Sequence, residues 1–253
     1  LAVYMSLFGW SAAYGQPGKI QQGLSGSTES VTPEEETQLG LIAEVFPAGC
    51  SAVLLTNEWV LTAGHCIDAD TGRNAEFHFS SQPNTIYLSN AMYKFGYHAT
   101  DEFGLADIGL VRLTTRVPIN GSTNTFFTRL YGGDAVGKTV TIYGQSTGAY
   151  LKAEMTVKSS VDDGRNLQLT SDQDVKVIPG DSGGPTFINE DGERYLVGIT
   201  SNTGGKIVAI APHVKWIIAA TRSFLDHSQP FAATDALKEE LLALPEGSLE
   251  EGQ

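Results

Sequence analysis

The chain has 253 residues, 41% of them hydrophobic and 18% charged, with 16 basic against 29 acidic residues and a formal net charge of −13. That apolar content can bury a domain-sized core, which excludes a disordered or fibrous protein, and the length fits one large domain or two smaller ones. A field this negative repels phosphates, so nucleic acid is not expected as a partner.

The chain opens on an apolar run, residues 1–13, too short to span a bilayer and closing on the small residues Ser11 and Ala13. It reads as the remnant of a secretory signal, followed by a propeptide to residue 19, with a buried N-terminal strand as the alternative. The expectation is a secreted protein with no membrane segment in its mature form. Glu34-Glu35-Glu36 after Pro33 reads as a solvated turn.

From about residue 38 to 212, short β-rich runs alternate with clusters of Gly, Asn, Asp and Ser. Such runs are Ser51–Leu55, Trp59–Leu61, Ile86–Leu88, Ile108–Leu113, Thr139–Tyr143, Leu167–Leu169, Leu196–Ile199 and Ile207–Ile210. Strands at this spacing, without long 3.6-period segments between them, predict an all-β sandwich or barrel. Cys50 and Cys66, separated by 16 positions, read as a disulfide in a secreted chain; without clustered histidines they do not make a zinc site. Neither a metal nor a cofactor is expected.

Helical periodicity is confined to His213–Phe224 and Thr234–Leu244. In the second, Thr234 caps, Leu237, Leu241 and Leu244 share a face, and Pro245 stops the helix. It lies in an acidic tail, residues 226–253, where seven acids face Lys238 alone for a charge of −6.

Three segments carry chemistry: Val60-Leu-Thr-Ala-Gly-His65-Cys66, Ala106-Asp107-Ile-Gly-Leu-Val111 and Pro179-Gly180-Asp181-Ser182-Gly183-Gly184-Pro185. A serine hydroxyl attacks only when an imidazole takes its proton, and the imidazole needs a carboxylate to fix its tautomer and stabilise its cation. His65, Asp107 and Ser182 supply these roles in that order, 42 and then 75 residues apart. Gly180 and Gly183 permit the tight turn that converges backbone N–H groups on a developing oxyanion, the donors being the amides of Gly180 and Ser182. Each motif alone also fits an ordinary loop or turn; their joint occurrence is far more specific.

On these residues the chain resembles the chymotrypsin/trypsin-like serine peptidases from about Ile20 to residue 224. Val60–Cys66 looks like the family's histidine motif with Gly64 where Ala is commoner, Asp107–Val111 its aspartate motif and Gly180–Pro185 its nucleophile motif. Thr139–Gly144 resembles the strand opening the second barrel, and Val214–Ile217 the C-terminal helix. The resemblance implies two six-stranded antiparallel β-barrels, residues 20–125 and 126–212, with the catalytic cleft between them and a C-terminal helix at 213–225. It also implies a bridge from Cys50 to Cys66.

Departures bear on specificity. Ile178 stands where a bracing cysteine is common, and the stretch from Ser201 to Ile207 is short. The expected pocket comprises Ser201, Thr203 and, six residues before the nucleophile, Lys176 where trypsin has an aspartate. A cation there favours acidic or small apolar substrates; Asp174 supplies an acid instead if the loop is offset, and Lys176 facing solvent is the third possibility. The resemblance further implies activation by cleavage between Lys19 and Ile20, the new amino group pairing with Asp181.

Gly132-Gly-Asp-Ala-Val-Gly137-Lys138-Thr139 matches the phosphate-loop pattern, but that loop must open a helix, whereas the alternating Val140-Thr-Ile-Tyr143 that follows reads as a strand. Asp68, Asp70, Asn74 and Glu76 are dense enough in oxygen to suggest calcium, though a solvated acidic turn fits better. Asn120-Gly-Ser122 is a glycosylation sequon. The sequence is thus read as a secreted, monomeric serine endopeptidase acting on proteins or peptides through an acyl-enzyme. The alternative is a proteolytically silent binding module on the same fold.

Overall fold

The computed structural model describes residues 24–32, 35, 42–67, 75–79, 82, 84–95, 106–118, 128–146 and 149–221. Six strands, β2 (Ile42–Phe46), β3 (Cys50–Leu54), β4 (Trp59–Thr62), β5 (Glu76–Phe79), β6 (Ile86–Lys94) and β7 (Gly109–Leu113), close an antiparallel barrel in the order β2-β3-β4-β7-β6-β5. A second antiparallel barrel is formed by β9 (Thr139–Ser146), β10 (Ala149–Val161), β11 (Asn166–Thr170), β12 (Pro185–Glu190), β13 (Glu193–Thr200) and β14 (Lys206–Ala209). It closes where β9 pairs with both β10 and β12. The short strand β8 (Arg129–Leu130) joins β13 in parallel.

The expected two-barrel architecture is therefore the observed one, with a difference at its start. The short strand β1 (Glu29–Ser30) pairs with β10, and Ser25 bridges Lys176, so residues 24–31 lie against the second barrel and not with the first. The late helix begins as a tight turn over Ala211–His213 and continues as α1 (Val214–Thr221). Residues from 222 onward, including Thr234–Leu244, lie outside the described residues, as do Lys19, Ile20 and Asn120. Among the described residues no helix is long and apolar enough to cross a membrane.

Side-chain alternation explains why these strands read as continuous apolar runs. Along β3 and β4, Cys50, Ala52, Leu54 and Val60 point into the first barrel, while Val53, Trp59 and Leu61 point the other way. The same division separates Val197 and Ile207, inside the second barrel, from Leu196, Ile199 and Val208. The outward sets meet in a third core between the barrels, roofed by Val214, Ile217 and Ile218 of α1. A strand buried on both faces loses its polar alternation. Two polar contacts lock the layer: the Tyr150 hydroxyl donates to Ile42 O at 2.8 Å and the Thr128 hydroxyl to Leu54 O at 2.8 Å.

The phosphate-loop look-alike is a turn leading into β9, so the strand expected over Thr139–Tyr143 is present and runs on to Ser146. Asp134 accepts from the Val136 amide, and the Lys138 ammonium is held by Glu190 and by the Tyr131 hydroxyl, which raises its pKa. A lysine already committed to a carboxylate and a phenol serves the fold, not a phosphate.

Candidate active site

Strand register brings the first two residues together. β4 and β7 pair with Thr62 opposite Gly109, so the chain leaving β4 and the chain entering β7 are neighbours at one end of the barrel. His65 sits in the tight turn Gly64–Ile67 just past β4, and Asp107 just before β7. His65 Nδ1 lies 2.8 Å from Asp107 Oδ2, and the His65 amide donates to Oδ1 at 2.8 Å. The Ser201 hydroxyl donates to Oδ2 at 2.8 Å.

Three donors thus converge on one carboxylate whose side chain is only 13% exposed, against 41% for His65. Burial alone would raise the Asp107 pKa, but the hydrogen bonds and charge of His65 and the Ser201 hydroxyl outweigh it and hold the carboxyl below its usual range. With Nδ1–H committed to the carboxylate, the lone pair of the neutral imidazole is on Nε2.

Ser182 arrives from the second barrel by the same logic. β12 and β13 pair with Pro185 opposite Ile199, so the Gly180–Gly184 loop entering β12, the expected nucleophile loop, and Ser201 leaving β13 are adjacent. The Gly183 amide donates to Thr200 O at 2.7 Å, and the Thr200 amide to Gly184 O at 2.9 Å. The loop also docks on the first barrel: the Ser51 amide donates to Ser182 O at 2.7 Å. Gly183, at φ +80°, sits so close that a Cβ would lie 2.1 Å from Ser51 O and 2.2 Å from Thr62 Oγ1, so no side chain fits there.

Gly180 adopts φ +105°. Among the described residues neither its amide nor that of Ser182 donates a hydrogen bond, which leaves both available to a ligand. Among the described residues no hydrogen bond joins Ser182 Oγ to His65; nucleophile–base contacts commonly tighten when substrate binds.

Cys50 and Cys66 form a disulfide with Cα atoms 6.1 Å apart, tying β3 to the histidine turn. Their sulfurs lie close to the His65 ring, but sulfurs joined to each other are not thiolate ligands, so the group is no metal centre. A bridge closing a loop of this length stabilises by about 3 kcal/mol. Replacing both cysteines by alanine should lower the denaturation midpoint accordingly, measured by urea unfolding of parent and variant.

Other expected site residues lie elsewhere. Lys176 is outside the site: its side chain is 65% exposed and pairs at 3.3 Å with Asp174, which is more exposed still. Its neighbours Val175 and Val177 face the barrel core, so alternation turns Lys176 outward. Thr203 is exposed, and Ser201, expected in the pocket wall, bonds Asp107. Asp181 is fully buried and accepts from the Ile178 amide at 2.8 Å. Beside it lies Leu24: a Cβ on Gly144 would meet Asp181 Oδ1 at 2.1 Å and Leu24 Cγ at 2.8 Å.

Of the suggested calcium ligands only Glu76 lies within the described residues, 3.3 Å from His78. His213 is buried, bonded to Ala209 O at 2.7 Å and stacked edge-on to Phe95. Its desolvation lowers its pKa, as befits a core residue. Sequence reasoning missed Ser51, a fully buried polar side chain in an apolar strand, whose only signal was its place after Cys50.

The comparisons with known proteins agree with this geometry. The sequence profile of the family described as Trypsin matches residues 31–214. An uncharacterized peptidase of Corynebacterium glutamicum (strain R) is 28% identical over 211 residues, covering 74% of this chain and 68% of the relative. A second protein named as a peptidase, from strain ATCC 13032 of that species, has the same identity and coverage. Among solved structures, neuropsin, a serine protease expressed in the limbic system of mouse brain, superposes with a TM-score of 0.61 at 20% identity. That match covers 77% of this chain and 99% of neuropsin. A mutant of human heparin-binding protein superposes with a TM-score of 0.63 at 15% identity, covering 78% and 97%.

Proposed function

We propose that this chain, which belongs to the Trypsin family, hydrolyses peptide bonds as a serine endopeptidase by way of an acyl-enzyme. The observation that carries the reading is the 2.8 Å pair of His65 Nδ1 with a buried Asp107 carboxylate, set beside a nucleophile loop with two uncommitted amides. In this reading Ser182 Oγ attacks the scissile carbonyl carbon as His65 Nε2 takes its proton, and the Gly180 and Ser182 amides receive the carbonyl oxygen as it gains charge. His65 returns the proton to the departing amine. Water then attacks the acyl-enzyme with the same imidazole as base, releasing the acid and restoring Ser182. Asp107 stays ionised throughout and stabilises the imidazolium.

Secretion fits the disulfide and the apolar opening run. The activation switch is part of the proposal: an amino group made by cleavage pairs with buried Asp181 and sets the oxyanion loop. Leu24 beside Asp181 favours a new N terminus nearer Leu24 than Ile20. N-terminal sequencing of the active form distinguishes cleavage after Lys19 from cleavage before Leu24.

The test of the reaction is a stopped-flow assay with an activated ester. A burst of alcohol equal to the enzyme concentration, followed by slower steady release, is expected of an accumulating acyl-enzyme. No turnover of esters or peptides by the processed protein supports the silent binding module. Because Lys176 faces solvent, Lys176→Ala should leave the relative cleavage rates across a peptide library unchanged. A selective fall in cleavage after acidic residues would show that the side chain reaches the substrate.

A further inference from the structure

Ser51 is a fully buried residue of β3 in the first barrel, yet most of its polar contacts lie in the nucleophile loop of the second. Its amide donates to Ser182 O at 2.7 Å and its hydroxyl to Gly180 O at 2.9 Å. Its own carbonyl accepts from the Thr62 hydroxyl at 2.7 Å, which anchors Ser51 to β4. One residue therefore pins the carbonyls of both residues whose amides remain uncommitted.

From this we infer that the Ser51 hydroxyl is a positioning residue for the oxyanion donors, acting through Gly180; the inference rests on the peptidase reading above. Gly180 is the soft point of the loop: it has no Cβ and stands at φ +105°, a region it shares with many alternatives. The Gly180 carbonyl and the Asp181 amide are the two ends of one planar peptide unit, held on one side by the Ser51 hydroxyl and on the other by Ile178 O, to which the Asp181 amide donates at 3.2 Å. Fixing that plane sets the rotation between it and the preceding peptide unit, which carries the Gly180 amide, and the Ser51 hydroxyl is the side-chain donor that does so. Because oxyanion donors act on charge that develops only in the transition state, a misaimed donor lowers kcat and leaves substrate binding intact.

The experiment measures kcat and KM separately for the parent, Ser51→Ala and Ser51→Gly, with Phe79→Leu as the control. Phe79, in β5, is buried in the interior of the first barrel against Tyr87 and lies outside the three segments that carry the chemistry, so its truncation tests the cost of lost core packing by itself. Expected are falls in kcat of about tenfold in both Ser51 variants, with KM within about twofold of the parent. A peptide aldehyde that forms a tetrahedral adduct should bind weaker by the same factor. The Phe79→Leu protein should keep the parent kcat despite a lower Tm. Ser51→Gly carries the test if Ser51→Ala does not fold. An active parent whose Ser51 variants keep its kcat, or lose only KM, overturns this inference alone. A processed parent without any turnover overturns the peptidase reading with it.

Discussion

Replacing Ser182 by alanine is expected to lower kcat by about 10⁴- to 10⁶-fold while the protein stays folded. The size follows from the mechanism: without the hydroxyl there is no acyl-enzyme, and His65 and Asp107 have nothing to activate. Stability should change little. Ser182 is only partly buried, and the loop is held by main-chain contacts, Ser182 O to the Ser51 amide and Gly183 N to Thr200 O, that alanine preserves. Residual catalysis above the uncatalysed rate is expected, since the Gly180 and Ser182 amides still polarise a bound carbonyl. A folded Ser182→Ala protein with most of its peptidase activity would remove Ser182 from the nucleophile's role.

The second large effect belongs to Asp107. Asp107→Asn preserves the shape of the side chain but replaces an acceptor of three hydrogen bonds by a group that donates as well as accepts. The Asn amide then competes for the wrong imidazole tautomer and cannot stabilise the imidazolium, so kcat should fall by about 10⁴-fold. The sign of the pH effect on stability follows from the depressed carboxyl pKa. A carboxyl that titrates lower in the folded than in the unfolded chain contributes stability above the ordinary range. That contribution is lost as the pH falls below about 4 and through the folded value. Urea midpoints measured from pH 6 downward should therefore drop less steeply for Asp107→Asn than for the parent. Equal slopes would mean that the carboxylate is not held as its three donors imply.

Much of this arrangement was legible in the sequence because the information was local. Trp59–Leu61 and Ile108–Leu113 read as strands, and the antiparallel pairing of the two strands that form there is enough to put His65 beside Asp107. What was not legible depends on contacts between distant segments. The bond from Ser51 to Gly180 spans 129 residues, and a serine among apolar residues in β3 gives no hint of its partner. Residues 24–31 join the second barrel through two short pairings, with β10 and with Lys176, that no periodicity marks. Lys176 is different: the signal was present in Val175-Lys176-Val177, whose alternation turns the lysine outward, and counting back from the nucleophile concealed it. β10, of 13 residues, was not among the expected strands, although Ala153, Met155 and Val157 face the core while Lys152, Glu154 and Thr156 face away in plain alternation.

The central claim is that Ser182 is a nucleophile activated by His65. The most direct measurement is the reaction of the processed protein with a fluorophosphonate, followed by peptide mapping of the adduct. One equivalent of label on Ser182, lost in His65→Ala, is the predicted result. Absence of label from folded, processed protein, or label on another residue, would contradict the claim.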